Sequence, residues 1–113
     1  MRVAAVVSDL MLFSRIDSAA AALDVSLLRV DAPADLPVDV APDLVLVDWS
    51  ARSSEWADSL VSWQEAVPGA RLILFGPHTD LEAHAAARQA GLGPMWARSK
   101  LVSELPALLR STD

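Results

Sequence analysis

Few side chains in this 113-residue chain are equipped for chemistry, and two carboxylates stand out by their position. Asp48 ends the run Leu44-Val45-Leu46-Val47, which Pro42 and Asp43 introduce, and Asp9 follows Val3 to Val7 after Ser8. Both apolar runs are too short for helices and rich in Val and Leu, the character of strands buried on both faces of a parallel sheet. In open α/β sheets, ligands bind in the crevice beyond the strands' C-terminal ends. If these two strands are neighbours, their ends lie roughly 5 Å apart, and Asp9 and Asp48 share one small pocket. Other constellations are weaker. His78 and His84 stand six residues apart with no third ligand in view. Ser8, His78 and Asp48 could be gathered at one rim as a hydrolytic triad, but there is no Gly-x-Ser-x-Gly elbow. Only four glycines are present, none in a nucleotide-binding spacing. The absence of cysteine removes disulfides, thiolate metal sites and Cys nucleophiles.

The elements that must hold the two acids alternate along the chain. After the first strand, Phe13, Ile16, Ala20 and Leu23 recur at helical spacing with Ala19 beside them, and Ser14 with Asp17 supplies a start signal. Val25 to Val30 forms a second strand, less apolar and carrying Arg29, as suits a sheet edge. Pro33, Pro37 and Pro42 then leave room for one short turn. Ser53 and Ser54 precede a helix with Trp56, Leu60, Trp63 and Val67 on one stripe, ended by Pro68-Gly69. Arg71 to Phe75 is the fourth strand. Thr79 and Glu82 form a capping box for a helix that groups Ala83, Ala86, Ala87 and Ala90, and Gly91 ends it. Met95 to Arg98 is a short fifth strand. The last helix is expected to start at Ser103, which places Pro106 in its first turn. Such alternation implies right-handed crossovers and a parallel sheet covered on both sides.

Residues 1–113 are read as one domain, large enough to bury something over ~60% of its unfolded surface. No apolar run approaches the ~20 residues that cross a bilayer. Met1-Arg2 before the first strand resembles the start of a signal peptide, but Ser8-Asp9 interrupts it, so a cytoplasmic location away from membranes is expected. A net charge of −6 opposes attraction to phosphate backbones, which argues against nucleic acid and for a basic protein partner.

Over nearly its whole length the sequence resembles the receiver domain of bacterial two-component response regulators. The likeness rests on the acid after the first strand, on Asp43 to Trp49 (DLVLVDW), on the Ala90-Gly91 helix end and on a basic residue, Arg98, closing the fifth strand. It implies a flavodoxin-like three-layer α/β sandwich with strand order 2-1-3-4-5, which makes the first and third strands neighbours. It also implies that Asp48 occupies the phosphoacceptor position and that Asp9, Asp48 and the carbonyl of Ser50 match the ligands of a magnesium ion. A hard cation of that kind neutralises phosphoryl oxygens while a carboxylate attacks. The chain departs from the family pattern at several positions. Ser8-Asp9 stands where receivers usually have two acids, Gly76 where a switch Thr or Ser follows the fourth strand, Arg98-Ser99 where a lysine and proline stand, and Met95 at the switch aromatic. Gly76 offers no hydroxyl to a phosphoryl oxygen. Arg98 is a wide planar fork suited to clamping carboxylates, and a fixed cation there lets Asp9 and Asp48 coexist without metal. A looser likeness links Phe75 to His78 (FGPH) and Ala97 to Ser99 (ARS) to small stand-alone receiver-like proteins.

Three readings follow. The first is an atypical, non-catalytic receiver-like signalling module that binds another signalling protein, a histidine kinase or a downstream effector, with phosphorylation lost or weakened. The second is a magnesium-dependent phosphoacceptor of a phosphorelay, modified at Asp48. The third is a small flavodoxin-like ligand-binding protein or enzyme using the same crevice. No separate output domain is expected after the last helix, and any output is expected to pass through a partner. Trp49 and Trp96, beyond strand ends, are candidate partner anchors. The resemblance implies that the face formed by the helix after the fourth strand, the fifth strand and the last helix is the surface for a homodimer, and the mixed charge of Arg88, Arg98, Lys100 and Glu104 there is compatible with one.

Overall fold

A computed structural model describes residues 1–110. Five strands form one parallel sheet in the order β2-β1-β3-β4-β5: β1 Arg2–Val6, β2 Ser26–Val30, β3 Leu44–Asp48, β4 Arg71–Gly76 and β5 Trp96–Ala97. Four helices flank it, α1 Leu10–Ala22, α2 Trp56–Ala66, α3 Leu81–Gln89 and α4 Arg98–Arg110. This is the flavodoxin-like three-layer α/β sandwich with the expected strand order. The Pro-rich segment contributes one 3-10 turn, Pro33–Asp35, and a second such turn, Trp49–Ala51, follows β3 directly.

Alternation along the strands sorts the core into two layers. Val3, Ala5, Val7, Leu44, Leu46, Ile73 and Phe75 pack with Leu12, Ile16 and Ala20 of α1 and Leu101, Leu105, Leu108 and Leu109 of α4. Ala4, Val6, Val45, Val47 and Leu74 face the other way, against Trp56, Leu60 and Trp63 of α2, Ala83 and Ala87 of α3, and Trp49 and Met95. Every residue of β3 is buried, which explains its unbroken apolar run. β2, at the edge, exposes Ser26, Leu28 and Arg29. There Arg29 Nη1 pairs with Asp31 at 3.0 Å and donates to the Val7 carbonyl. β5 is only two residues long, and the Trp96 ring has Lys100 Nζ 4.3 Å and the Arg71 guanidinium 5.9 Å from its centre.

Several sequence expectations need correction. α1 starts at Leu10 because Asp9, not Ser14, caps it. α3 is capped by Asp80, whose carboxylate accepts the Ala83 N–H at 3.0 Å, one residue beyond Thr79. The residue before α2 is Glu55, with no side-chain cap, while the Ser54 hydroxyl donates to Glu55. β5 excludes Met95 and Arg98. Arg98 instead opens α4, which runs through Ser103 and carries Pro106 inside it. A proline there removes one intrahelical N–H, but Leu101, Leu105, Leu108 and Leu109 bury a stripe spanning both sides of it. Packing of that stripe outweighs the local backbone penalty. Gly91, at φ +73, ends the α3 segment as expected, in a conformation that disfavours a Cβ.

Candidate functional site

Parallel pairing aligns β1 with β3 so that Val6 stands opposite Val47. The chain leaves both strands at the same edge, and the loop after β1 and the end of β3 therefore deliver Asp9 and Asp48 to one rim. Their environments differ. Asp48 is 4% exposed, and its Oδ1 accepts a hydrogen bond from the hydroxyl of Ser50, in the 3-10 turn just after it. Asp9 is half-buried. Its Oδ1 accepts the N–H groups of Met11 at 3.0 Å and Leu12 at 3.2 Å, capping α1. The Leu12 hydrogen bond leads, with Met11 and Arg98 adding to it against partial desolvation, in holding the Asp9 carboxyl below its ordinary pKa.

Arg98 connects the two. Its Nη1 lies 3.4 Å from Asp9 Oδ2 and its Nη2 3.7 Å from Asp48 Oδ2. One guanidinium thus spans both carboxylates, its planar fork turning a different Nη atom towards each. Its position follows from β5 being short: the turn from Ala97 into α4 brings residue 98 to the strand ends. The Nε atom of Arg98 is buried without a hydrogen-bond partner, so the side chain is held through its Nη ends. Both oxygens of Asp48 have a neighbouring donor, Ser50 on one and Arg98 on the other.

Gly76 and Met95 are coupled beside this rim. Gly76 ends β4 and is buried, and a Cβ placed on it would meet Met95 Sδ at 3.1 Å and Cε at 3.4 Å, with the Ser50 Cβ at 3.6 Å. The thioether therefore fills the space that a side chain at position 76 would enter. Among the other candidates, Ser8 is exposed. His84 Nε2 hydrogen-bonds the backbone carbonyl of His78 at 3.1 Å, which ties α3 to the turn after β4 and gives His84 a structural role. Trp49 is not an exposed anchor. It is 1% exposed, its indole N–H donates to the Ala83 carbonyl at 3.0 Å, and Arg52 lies over its ring. A partly polar ring was placed outside by its position after a strand, but the 3-10 turn carries it back beneath α3. Trp96 is half-buried beneath its two cations.

Sequence reasoning missed the capping role of Asp9 and the hydroxyl of Ser50, for which only the backbone carbonyl was considered. The signal for the first was present: an Asp three positions ahead of Leu12, just before an apolar-periodic segment, has the N-cap pattern.

As arranged, the residues do not fit a magnesium ion. A hard divalent cation needs several oxygen ligands in near-octahedral array, whereas here the guanidinium bridges the two acids. Among the described residues no three His, Cys, Asp or Glu side chains are grouped to hold a metal. Among the same residues no helix is long and apolar enough to cross a membrane. No protein-family model matches the chain, and no curated protein matches it.

Proposed function

We propose that this protein is a receiver-like signalling module that works by binding another signalling protein, with phosphoryl acceptance at Asp48 lost or weakened. The observation that carries this reading is the Arg98 guanidinium, placed between Asp9 and Asp48 at 3.4 and 3.7 Å. It supplies from within the chain the positive charge that two adjacent carboxylates need. Burial of Asp48 supports the same reading, because its carboxylate could attack a phosphodonor only after giving up both the Ser50 hydroxyl and the arginine. The Gly76–Met95 contact supports it further: the hydroxyl trigger of a receiver is missing and its space is filled. A net charge of −6 favours a basic binding surface on the partner, a histidine kinase or a downstream effector, over nucleic acid.

Trp49 adjoins Asp48 and serves as the reporter. Titration with magnesium and then beryllofluoride should leave tryptophan emission unchanged in the folded wild-type protein, and equally in Asp48→Asn. Saturable quenching in the wild type that disappears in Asp48→Asn would overturn the reading in favour of a phosphoacceptor.

A further inference from the structure

Beside the carboxylate rim, between the first turns of α1 and α4, lies an open groove of about 700 Å³, lined by Asp9, Met11, Leu12, Arg15, Arg98, Ser99, Val102 and Ser103. Asp48 is not among its walls, but Asp9 and Arg98 are, so the groove adjoins the carboxylate rim without reaching the buried acid. Its volume falls within the range of small-molecule sites, and it combines apolar surface from Met11, Leu12 and Val102 with charged and hydroxyl groups in the same lining. Leu12 is buried in the floor, Val102 is half-buried opposite, and Met11 stands 83% exposed at the mouth. A flexible, polarisable thioether in that position adapts to varied apolar shapes.

The charges in the lining are unequal, two arginines against one aspartate. The Asp9 carboxylate is already compensated, with Oδ1 taken by two backbone N–H groups and Oδ2 facing Arg98. Arg98 is in turn committed to Asp9 and Asp48. Arg15 has no acidic partner among the described residues, and it projects from an exposed position on α1 into the lining of this groove. The Ser103 hydroxyl is used locally, donating to the Lys100 carbonyl. Arg15 is therefore the charge left for a ligand.

We infer that the groove between α1 and α4 is a binding site for a small amphipathic carboxylate, its head on Arg15 and its hydrocarbon tail against Met11, Leu12 and Val102. This site stands independently of whether Asp48 accepts a phosphoryl group. The head gains a charge-assisted hydrogen bond in a partly apolar setting, and the tail covers apolar surface that otherwise faces water.

The test titrates the protein with octanoate, below the concentration at which it forms micelles, and follows backbone amide shifts by NMR. The expected result is a saturable one-to-one change confined to Met11, Leu12, Ser99, Val102 and Ser103. Octanol, which lacks the charge, and acetate, which lacks the tail, should each bind at least tenfold more weakly. Arg15→Ala removes an exposed side chain and leaves the fold intact, so its spectrum should stay native while octanoate affinity drops about tenfold. Val102→Asp, which puts a like charge where the tail lies, should abolish binding. Shifts scattered over the whole surface, octanoate binding unchanged in Arg15→Ala, or response only to an acidic amphipathic peptide would each overturn the inference.

Discussion

The two helical layers of this protein bury their faces of the sheet by different means. The α1–α4 layer has a mainly aliphatic buried core of Leu, Ile, Val and Ala with Phe75 contributed by β4, and Phe13 and Trp96 pack at its margin. The α2–α3 layer is built on three indoles, Trp49, Trp56 and Trp63, with small alanines of α3 closing over them. The indoles of Trp49 and Trp63 also reach across it by hydrogen bonds, to the carbonyls of Ala83 and Pro37, both at 3.0 Å. Aromatic anchors with polar tips fix neighbouring elements in both distance and angle. Aliphatic side chains fix distance alone. The contrast bears on where the groove opens: it lies in the mainly aliphatic layer, between two helices joined at their N-terminal ends by the Asp9–Arg98 ion pair and otherwise largely by apolar contact.

The largest expected effect tests that contrast directly. Trp49→Ala should cost about 3–5 kcal/mol in urea unfolding, because it leaves a large cavity and removes the indole hydrogen bond to the Ala83 carbonyl. Leu101→Ala, fully buried in the aliphatic layer, should cost about 2–5 kcal/mol, and equal losses in the two variants would erase the distinction. Next in size is Gly76→Ser. Its Cβ would crowd Met95, at a cost of about 1–3 kcal/mol, and Met95→Ala in the same chain should recover part of the loss. A double-mutant cycle in chemical denaturation measures that coupling.

Smaller effects come from the helix caps, one in each layer. Asp80→Ala removes only a cap and should lower stability by about 1 kcal/mol, while Asp80→Asn should restore most of it. Asp9 caps α1 but also faces Arg98, so it should behave differently. Its native pKa lies below the unfolded value, chiefly through the Leu12 amide. Its contribution is therefore complete above the ordinary aspartate range and is lost as pH falls through the lowered native value. Asp9→Asn should reduce the slope of stability against pH in that acidic window. A slope unchanged from the wild type would show that the Asp9 carboxylate gains nothing from its partners in the folded protein.

Much of this architecture can be read from residue pattern. The four-residue apolar runs of β1 and β3 and the indole stripe of α2 are strong periodic signals, and they placed the layers correctly. Asp9 and Asp48 at one rim required the first and third strands to be neighbours, which the receiver-like resemblance implied and the apolar pattern alone did not. What the pattern hid was local. Pro106 argued for a late start to α4, because the leucine stripe on both sides of it is a tertiary contribution that backbone preference does not reveal. Trp49 looked exposed because a 3-10 turn after a strand has no periodic signature. The groove was illegible, since its walls come from residues nearly ninety positions apart, and no single segment announces them.

The two-residue length of β5 has a consequence for how copies of this protein meet one another. A sheet margin invites another chain to add a strand when it offers a long row of unpaired backbone groups. Here that row is too brief to serve as a template, and the basic side chains of Arg71 and Lys100 lie across the Trp96 ring beside it. At high concentration this margin should resist fibrillar stacking.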